Sequence, residues 1–168
     1  KIHIQHLSAK ESVELVRSAR ARGIAITAEA TPHHITLTDE LIKHFDTNHK
    51  MNPPLRSEED RLALIEGLRD GTISVIATDH APHNQTEKMV EFDYAPFGII
   101  GLETAVPLCL GELYHSGVLG LSDFVSKFTK GPAEVLGLDV GTLRPGAAAD
   151  ITVLNLDDEH VIDSSEFK

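Results

Sequence analysis

One short stretch joins a buried strand to a cluster of ionisable side chains. Residues 73–83 read ISVIATDHAPH, in which a β-branched apolar run leads directly into Asp79, His80 and His83. Catalytic groups of α/β proteins collect at the carboxyl ends of such parallel strands. A carboxylate beside two imidazoles suits metal binding, acid–base catalysis or both, although Asp and His are also ordinary turn residues.

The residues around this stretch predict a parallel sheet. Residues 1–6 alternate apolar and polar side chains, which predicts a strand that ends at His6, and residues 24–29 predict a second strand. The helix between them is predicted to begin at a capping box of Ser8 and Glu11. A strand–helix–strand order favours parallel strands.

Later helices carry similar signals. Ser57 is predicted to cap a helix over residues 58–69, and Ser122 is predicted to cap another that runs to residue 130. Residues 102–113 form an apolar helical pattern that contains Pro107, so we expect a kink or a late start there.

The strand ends bring candidate ligands together. In a barrel the carboxyl ends open on one mouth, so we expect His6 and Asp79 to lie close to the region of His33 and Asn52. Imidazole and carboxylate are suitable zinc ligands, and a carboxylate is the usual proton acceptor in metal-assisted hydrolysis. His33 and His34 are more simply interpreted as helix-entry and packing residues, and Asn52 equally fits a turn.

The other histidines have simpler interpretations. His3 is predicted to lie on the polar face of the first strand, and His80 to orient a neighbour through a hydrogen bond. The rest are predicted to be surface residues: His44, His49, His115 and His160.

Composition excludes several classes of protein. Lys and Arg number 15 against 26 Asp and Glu, and the net charge of −11 argues against nucleic acid or an anionic membrane as partner. No apolar run approaches the roughly 20 residues needed to cross a bilayer. The single cysteine, Cys109, predicts a buried thiol, no disulfides and a cytoplasmic location.

The sequence predicts two structural units, part of an α/β barrel followed by the start of a small β subdomain. Residues 1–140 predict part of a barrel, since three strands are too few to close one. Residues 141–168 predict the start of a small β subdomain, with an edge strand over residues 151–156. The sequence lacks an initiating Met and opens within a pattern, so we expect it to come from a longer protein.

Several long motifs resemble those of one enzyme family. In order and spacing they resemble the bacterial-type dihydroorotases of the amidohydrolase superfamily, and the segments concerned are HIQHLSAKES, TAEATPHHITLTDE, KMNPPLRSEEDR, DGTISVIATDHAPH, APFGIIGLETAVPL and GTLRPGAAADITVLNLD. The resemblance implies a TIM-like (β/α)8 metallo-hydrolase barrel with a small β-sandwich. This chain would then be its C-terminal part, from about strand six to strand eight, with the other metal ligands and a substrate arginine upstream.

The resemblance also implies an activity and a role for individual residues. The family hydrolyses dihydroorotate reversibly to N-carbamoyl-aspartate in pyrimidine biosynthesis and uses one or two Zn²⁺ ions per complete site. His6 would be a metal ligand, and Asp79 would be both a ligand and the general acid/base. Asn52 and His83 would bind the substrate, His83 at its carboxylate, and Phe97 and Gly98 would contact the ring.

The alternatives concern the substrate and the assembly. The chain could belong to a hydantoinase or allantoinase, or to an inactive dihydroorotase-like scaffold for aspartate transcarbamoylase. MNPPLR, HAPH and APFG favour dihydroorotase, because these loops would supply substrate contacts. The resemblance implies a homodimer for the full-length enzyme. With two metal ligands and an open strand edge, the isolated chain is expected to be inactive and marginally folded.

Overall fold

The strands form one parallel sheet. The computed structural model describes residues 1–159, 161–163 and 167. Within this part of the chain the strand order is β1 (Ile2–Ile4), β2 (Ile26–Ala30) and β3 (Val75–Ile76), with Ile2 opposite Ile26 and Glu29 opposite Val75. The predicted parallel sheet is therefore confirmed, with each strand shorter than its sequence pattern.

Helices connect the strands and continue after the last one. Helix α1 (Lys10–Ala21) joins β1 to β2, whereas α2 (Pro32–Thr36) and α3 (Glu58–Arg69) lie between β2 and β3. Two 3-10 segments over Asp39–His44 and Thr47–His49 separate α2 from α3. The segments after β3 are α4 (Gln85–Lys88), α5 (Ala105–Cys109), a π-helical segment (Leu110–His115), α6 (Leu121–Phe128) and α7 (Lys130–Leu136).

The main core lies on one face of the sheet. Ala28 and Ala30 of β2 belong to this core, together with the buried stripe of α1 at Val13 and Val16. Because successive side chains of a strand point to opposite faces, Thr27 and Glu29 lie on the other side. The polar side chains of β2 therefore lie on the face of the sheet opposite this core.

Helix α1 does not begin at the predicted Ser8 cap. Ser8 is buried and accepts a hydrogen bond from Arg56, and the helix begins at Lys10. The backbone N–H of Lys10 donates instead to Oδ1 of Asp60, 50 residues away in α3. Ser57 caps α3 as predicted, since its side chain accepts from the Asp60 N–H. The prediction for Ser8 is wrong because a tertiary contact supplies the cap.

The later helix starts differ in detail from their sequence signals. Helix α6 begins at Leu121 after Gly120, so Ser122 lies inside the first turn and is not the cap. Helix α5 begins at Ala105, which places Pro107 in the first turn, where the missing N–H removes no helical hydrogen bond. The late start predicted at this proline is confirmed.

The end of the chain does not follow the strand prediction. Residues 151–156 form no strand in the described part of the chain, because an alternating pattern becomes a strand only when a partner strand pairs with it. His160 lies outside the described residues, so its predicted surface position stays a prediction. Within the described ranges, no helix is long and apolar enough to span a bilayer.

Candidate metal-binding active site

His6 follows β1 in an unusual backbone conformation. Its φ is 51°, in the left-handed region that residues other than glycine seldom adopt. Such a conformation costs about 1–3 kcal/mol and persists where the surrounding structure enforces it. The side chain is partly buried, and Nε2 lies 3.6 Å from Oδ1 of Asp79.

Asp79 shares this conformation at another strand end. It follows β3 and has a φ of 46°. His6 and Asp79 therefore come from the strands on either side of β2, and both are held in a costly backbone conformation with their side chains adjacent. Backbone strain of this kind clusters at functional sites, which supports the predicted pairing of these two residues.

Glu29 is a site residue that the sequence did not predict. Its side chain is buried, and Oε1 lies 2.8 Å from Nδ1 of His6, which is an ion-pair distance without the alignment of a hydrogen bond. Its other oxygen, Oε2, lies 3.0 Å from Nε2 of His3. The available signal was that Glu29 stands on the polar face of β2, where a buried carboxylate requires partners.

His33 and His34 are both buried in α2. The ring of His34 bonds to Oγ1 of Thr31 through Nδ1, at 2.7 Å, and to the carbonyl of Pro53 through Nε2, at 2.9 Å. This second bond connects α2 to the loop that carries Asn52. The two ring nitrogens of His33 have no hydrogen-bond partner among the described residues. Burial, together with His34 and His6, lowers the pKa of His33 to about 3.

Replacing His33 should make the protein less sensitive to acid. The ordinary pKa of 6.5 falls to about 3 in the folded state, so protons bind preferentially to the unfolded chain as the pH drops below about 6.5. This cost reaches ~2–3 kcal/mol near pH 4.5, and it continues to grow until the pH reaches the folded-state pKa. The His33→Leu variant should therefore lose less thermal stability between pH 7 and pH 4.5 than the wild type.

The matched control for this measurement is His115→Leu, because His115 is exposed. Melting temperatures of the complete gene product are recorded across the same pH range for all three forms. His115→Leu should follow the wild type. An unchanged pH dependence in His33→Leu would contradict the assignment of acid sensitivity to His33.

His80 positions a loop segment. Its Nδ1 accepts hydrogen bonds from the backbone N–H groups of Gly101 and Leu102, at 3.1 and 3.2 Å. His80 also forms an isolated parallel bridge with Ile99. The partners of this ring are thus backbone groups of residues 99–102, which it holds against the end of β3.

The structure brings together three of the four predicted substrate residues. Nε2 of His83 lies 2.9 Å from the carbonyl oxygen of Phe97, and a Cβ at position 98 would lie 3.2 Å from the His83 ring. Gly98 has a φ of 144°, and the same Cβ would meet the carbonyl oxygen of Ala81 at 2.7 Å. Only glycine fits between these loops.

Two lysines connect this group to the loop of Asn52. The carbonyl oxygen of Lys50 accepts from the N–H of Gly98 at 2.9 Å. The ammonium group of Lys88 donates to the carbonyl oxygens of Gly98 and Thr47, at 2.9 and 3.0 Å. Asn52 itself is exposed and precedes a cis peptide bond to Pro53. The loop that carries Asn52 is therefore tied to Gly98 through these backbone contacts.

Gly98→Ala should weaken substrate binding while metal binding persists. The new methyl group must displace the chain at Ala81 or at residues 97–98, which moves the predicted substrate contacts. Misplacement of this kind should raise KM about 10- to 100-fold in the complete gene product. Gly111→Ala is the control, because a Cβ there meets nothing within 4 Å. An unchanged KM in Gly98→Ala would contradict a substrate role for this loop.

The donor set suits a divalent metal but does not complete a site. His6 Nε2 and Asp79 Oδ1 are the kinds of donor that zinc prefers, and they lie close enough to share one ion. Among the described residues, however, no group of three or more His, Cys, Asp or Glu side chains could hold a metal ion. A catalytic zinc ion uses three protein ligands, so this arrangement accounts for only part of a coordination sphere.

Parallel strands that present a histidine and an aspartate at their carboxyl ends are typical of barrel-type α/β enzymes. The sequence model of the amidohydrolase family matches residues 1–167, and the chain belongs to this family. The predicted membership of the amidohydrolases is confirmed, and the parallel sheet belongs to a TIM-barrel amidohydrolase fold.

Curated relatives match over almost the whole chain. The dihydroorotases of Pelotomaculum thermopropionicum and Bacillus subtilis are each 55% identical to it, over 167 and 165 residues. These matches cover 99% and 98% of this chain but only 39% of each relative. The chain therefore spans about two fifths of the length of these relatives.

Solved structures share the fold at lower identity. The L-hydantoinase (dihydropyrimidinase) of Arthrobacter aurescens superposes with a TM-score of 0.90 at 30% identity, over 97% of this chain and 37% of that one. The D-hydantoinase (dihydropyrimidinase) of a Thermus species gives a TM-score of 0.82 at 29% identity, over 88% of this chain and 34% of that one.

Proposed function

We propose that this chain carries the C-terminal part of the active site of a dihydroorotase. The protein would hydrolyse the cyclic amide of dihydroorotate to N-carbamoyl-aspartate, reversibly. The observation that carries the proposal is the 55% identity to dihydroorotases across nearly the whole chain, with His6 and Asp79 facing each other. Residues 1–140 would contribute about strands six to eight of the barrel, and residues 141–168 the start of a β-sandwich.

His6 and Asp79 are the residues that would hold zinc. One or two Zn²⁺ ions would complete the site with further ligands from the rest of the protein. When bound, zinc polarises a carbonyl group and brings the pKa of water to about 7. The donor types and the 3.6 Å separation of His6 Nε2 from Asp79 Oδ1 support this assignment.

Asp79 would act as the general base and then as the general acid. Its carboxylate would take the proton of the water that attacks the ring carbonyl, and it would deliver this proton to the leaving nitrogen as the C–N bond breaks. The imidazole of His6 would keep Nε2 directed toward Asp79.

The substrate would lie against the loops after β2 and β3. His83 and Asn52 would bind the substrate, His83 at its carboxylate, while Phe97 and Gly98 would contact the ring. The hydrogen bond from the His83 ring to the Phe97 carbonyl supports a common site for these residues. Gly98 supports this arrangement, because a side chain at position 98 would keep the two loops apart.

A hydantoinase is the competing function, since solved hydantoinases share this fold. Their identity of about 30% is well below the 55% of the dihydroorotases, which supports the latter. The test is a hydrolysis assay of the complete gene product with dihydroorotate, hydantoin, dihydrouracil and allantoin. We expect dihydroorotate to have the highest kcat/KM. Preference for an uncharged ring would favour a hydantoinase, and no turnover of any substrate would favour a scaffold role beside aspartate transcarbamoylase.

The 168-residue polypeptide alone should show no turnover. Its described residues provide two metal ligands where a catalytic zinc site uses three, and exposed strand edges favour misassociation. Purified residues 1–168 are assayed with dihydroorotate and added Zn²⁺, beside the complete gene product. Measurable, chelator-sensitive turnover by the polypeptide would contradict this proposal.

We expect the complete protein to be a homodimer and to be located in the cytoplasm. The support for this compartment is the cysteine usage, a single buried free thiol at Cys109. Burial raises the pKa of this thiol to about 12. A thiol of this kind packs as a small apolar group and takes no part in the proposed chemistry.

A further inference from the structure

We propose that Glu29 is a positioning residue that fixes the orientation and tautomer of His6. This inference rests on the proposed function, because it assigns Glu29 a role toward the metal that His6 would bind. Glu29 would act from the sheet, without touching the metal or the substrate. His3 would in turn hold Glu29.

The geometry of His6 gives the first step. Nδ1 of the ring lies 2.8 Å from Glu29 Oε1, and Nε2 on the opposite edge lies 3.6 Å from Asp79 Oδ1. Carboxylate oxygens accept hydrogen bonds, so this close contact favours a proton on Nδ1, although the ring is not aligned for a hydrogen bond in this structure. The lone pair of a neutral imidazole then lies on Nε2, on the side of Asp79, where a metal ligand needs it.

The second step is the support of Glu29 itself. Its Oε2 lies 3.0 Å from Nε2 of His3, and Nδ1 of His3 lies 2.9 Å from Oγ1 of Thr27. His3 and Thr27 are register partners in β1 and β2, so this arrangement is set by the sheet. Each ring nitrogen of His3 thus contacts one side chain, Glu29 at Nε2 and Thr27 at Nδ1, which holds the His3 ring in place.

The third step is the energetic cost of this arrangement. Glu29 has a relative exposure of only 6%, and a carboxylate is rarely buried unless it is paired. An apolar residue would fill the same position without desolvating a charge. The carboxylate of Glu29 therefore lies between His6 at the end of β1 and His3 within β1. From this position Glu29 can orient the ring of His6.

The test compares Glu29→Gln with Glu112→Gln in the complete gene product. Glutamine keeps the shape of Glu29 but lacks the charge, and Glu112 is a carboxylate paired with Arg61 on a different part of the fold. Zinc affinity is measured by competition with a chelator, and the absorption spectrum of the Co²⁺ form is recorded. We expect Glu29→Gln to bind Zn²⁺ about 10- to 100-fold more weakly with an altered Co²⁺ spectrum, whereas Glu112→Gln binds it normally.

A measurement without metal isolates the positioning role. Long-range ¹H–¹⁵N correlation spectra of the metal-free protein report which ring nitrogen of His6 carries the proton. We expect a proton on Nδ1 in the wild type, and a proton distributed between the two ring nitrogens in Glu29→Gln. If that variant does not fold, the wild-type spectrum still decides, because a His6 ring without a proton on Nδ1 would overturn the proposal.

The outcomes also separate this inference from the proposed function. If His6→Ala binds Zn²⁺ as the wild type does, the proposed metal site fails and the role of Glu29 fails with it. If His6→Ala loses Zn²⁺ but Glu29→Gln and Glu112→Gln both bind it normally, only the role of Glu29 is overturned.

Discussion

Asp79→Asn should reduce the turnover of the complete gene product by about 1000-fold or more. A positioned general acid/base contributes about 10²- to 10⁴-fold to a rate, and the same change also weakens a metal ligand. The asparagine side chain keeps the size of Asp79, so the backbone near β3 should be retained. The measurement is kcat for dihydroorotate, with zinc content determined on the same samples.

The control for this substitution is Asp93→Asn. Asp93 is an exposed carboxylate in the loop after β3, and it should leave kcat unchanged. Near-normal turnover in Asp79→Asn, at normal zinc content, would show that another group accepts the proton.

His6→Ala should remove the metal with little loss of folded structure. Loss of a residue that only hydrogen-bonds to a metal ligand typically lowers metal affinity about 10- to 100-fold. Loss of a ligand itself should therefore weaken Zn²⁺ binding by more than about 100-fold. Alanine keeps the Cβ that makes the φ of 51° costly, and Glu29 keeps its contact with His3, so the substitution removes only the contacts of a partly buried ring. Zinc content after dialysis and the circular dichroism spectrum are the two measurements.

His115→Ala is the matched control, since this histidine is exposed on the π-helical segment. It should keep a full complement of zinc. Retention of zinc and activity in His6→Ala would remove His6 from the proposed site.

The parallel sheet and the proximity of His6 to Asp79 could be predicted from the sequence. Apolar runs that end at His6 and Asp79 predict strand ends, and parallel strands bring such ends to one edge. The structure places these two side chains 3.6 Å apart. Helix capping could also be predicted where the capping residue is close in sequence to the N–H that it accepts from, as for Ser57 and Asp60.

The remaining features depend on contacts that span long stretches of sequence. Helix α1 begins at Lys10 because Asp60 of another helix accepts its N–H. Glu29 reaches the candidate site because the parallel pairing of β1 and β2 brings it beside both His6 and His3. An alternating pattern cannot specify its own partner strand, which is why residues 151–156 were predicted as a strand that the structure does not contain.

The most direct test of the proposed metal site is anomalous X-ray diffraction at the zinc absorption edge from crystals of the complete gene product. We predict an anomalous peak at coordination distance, about 2.0–2.2 Å, from both Nε2 of His6 and a carboxylate oxygen of Asp79. A zinc peak that contacts neither residue, in crystals of active protein, would contradict the assignment of this strand edge as the catalytic centre.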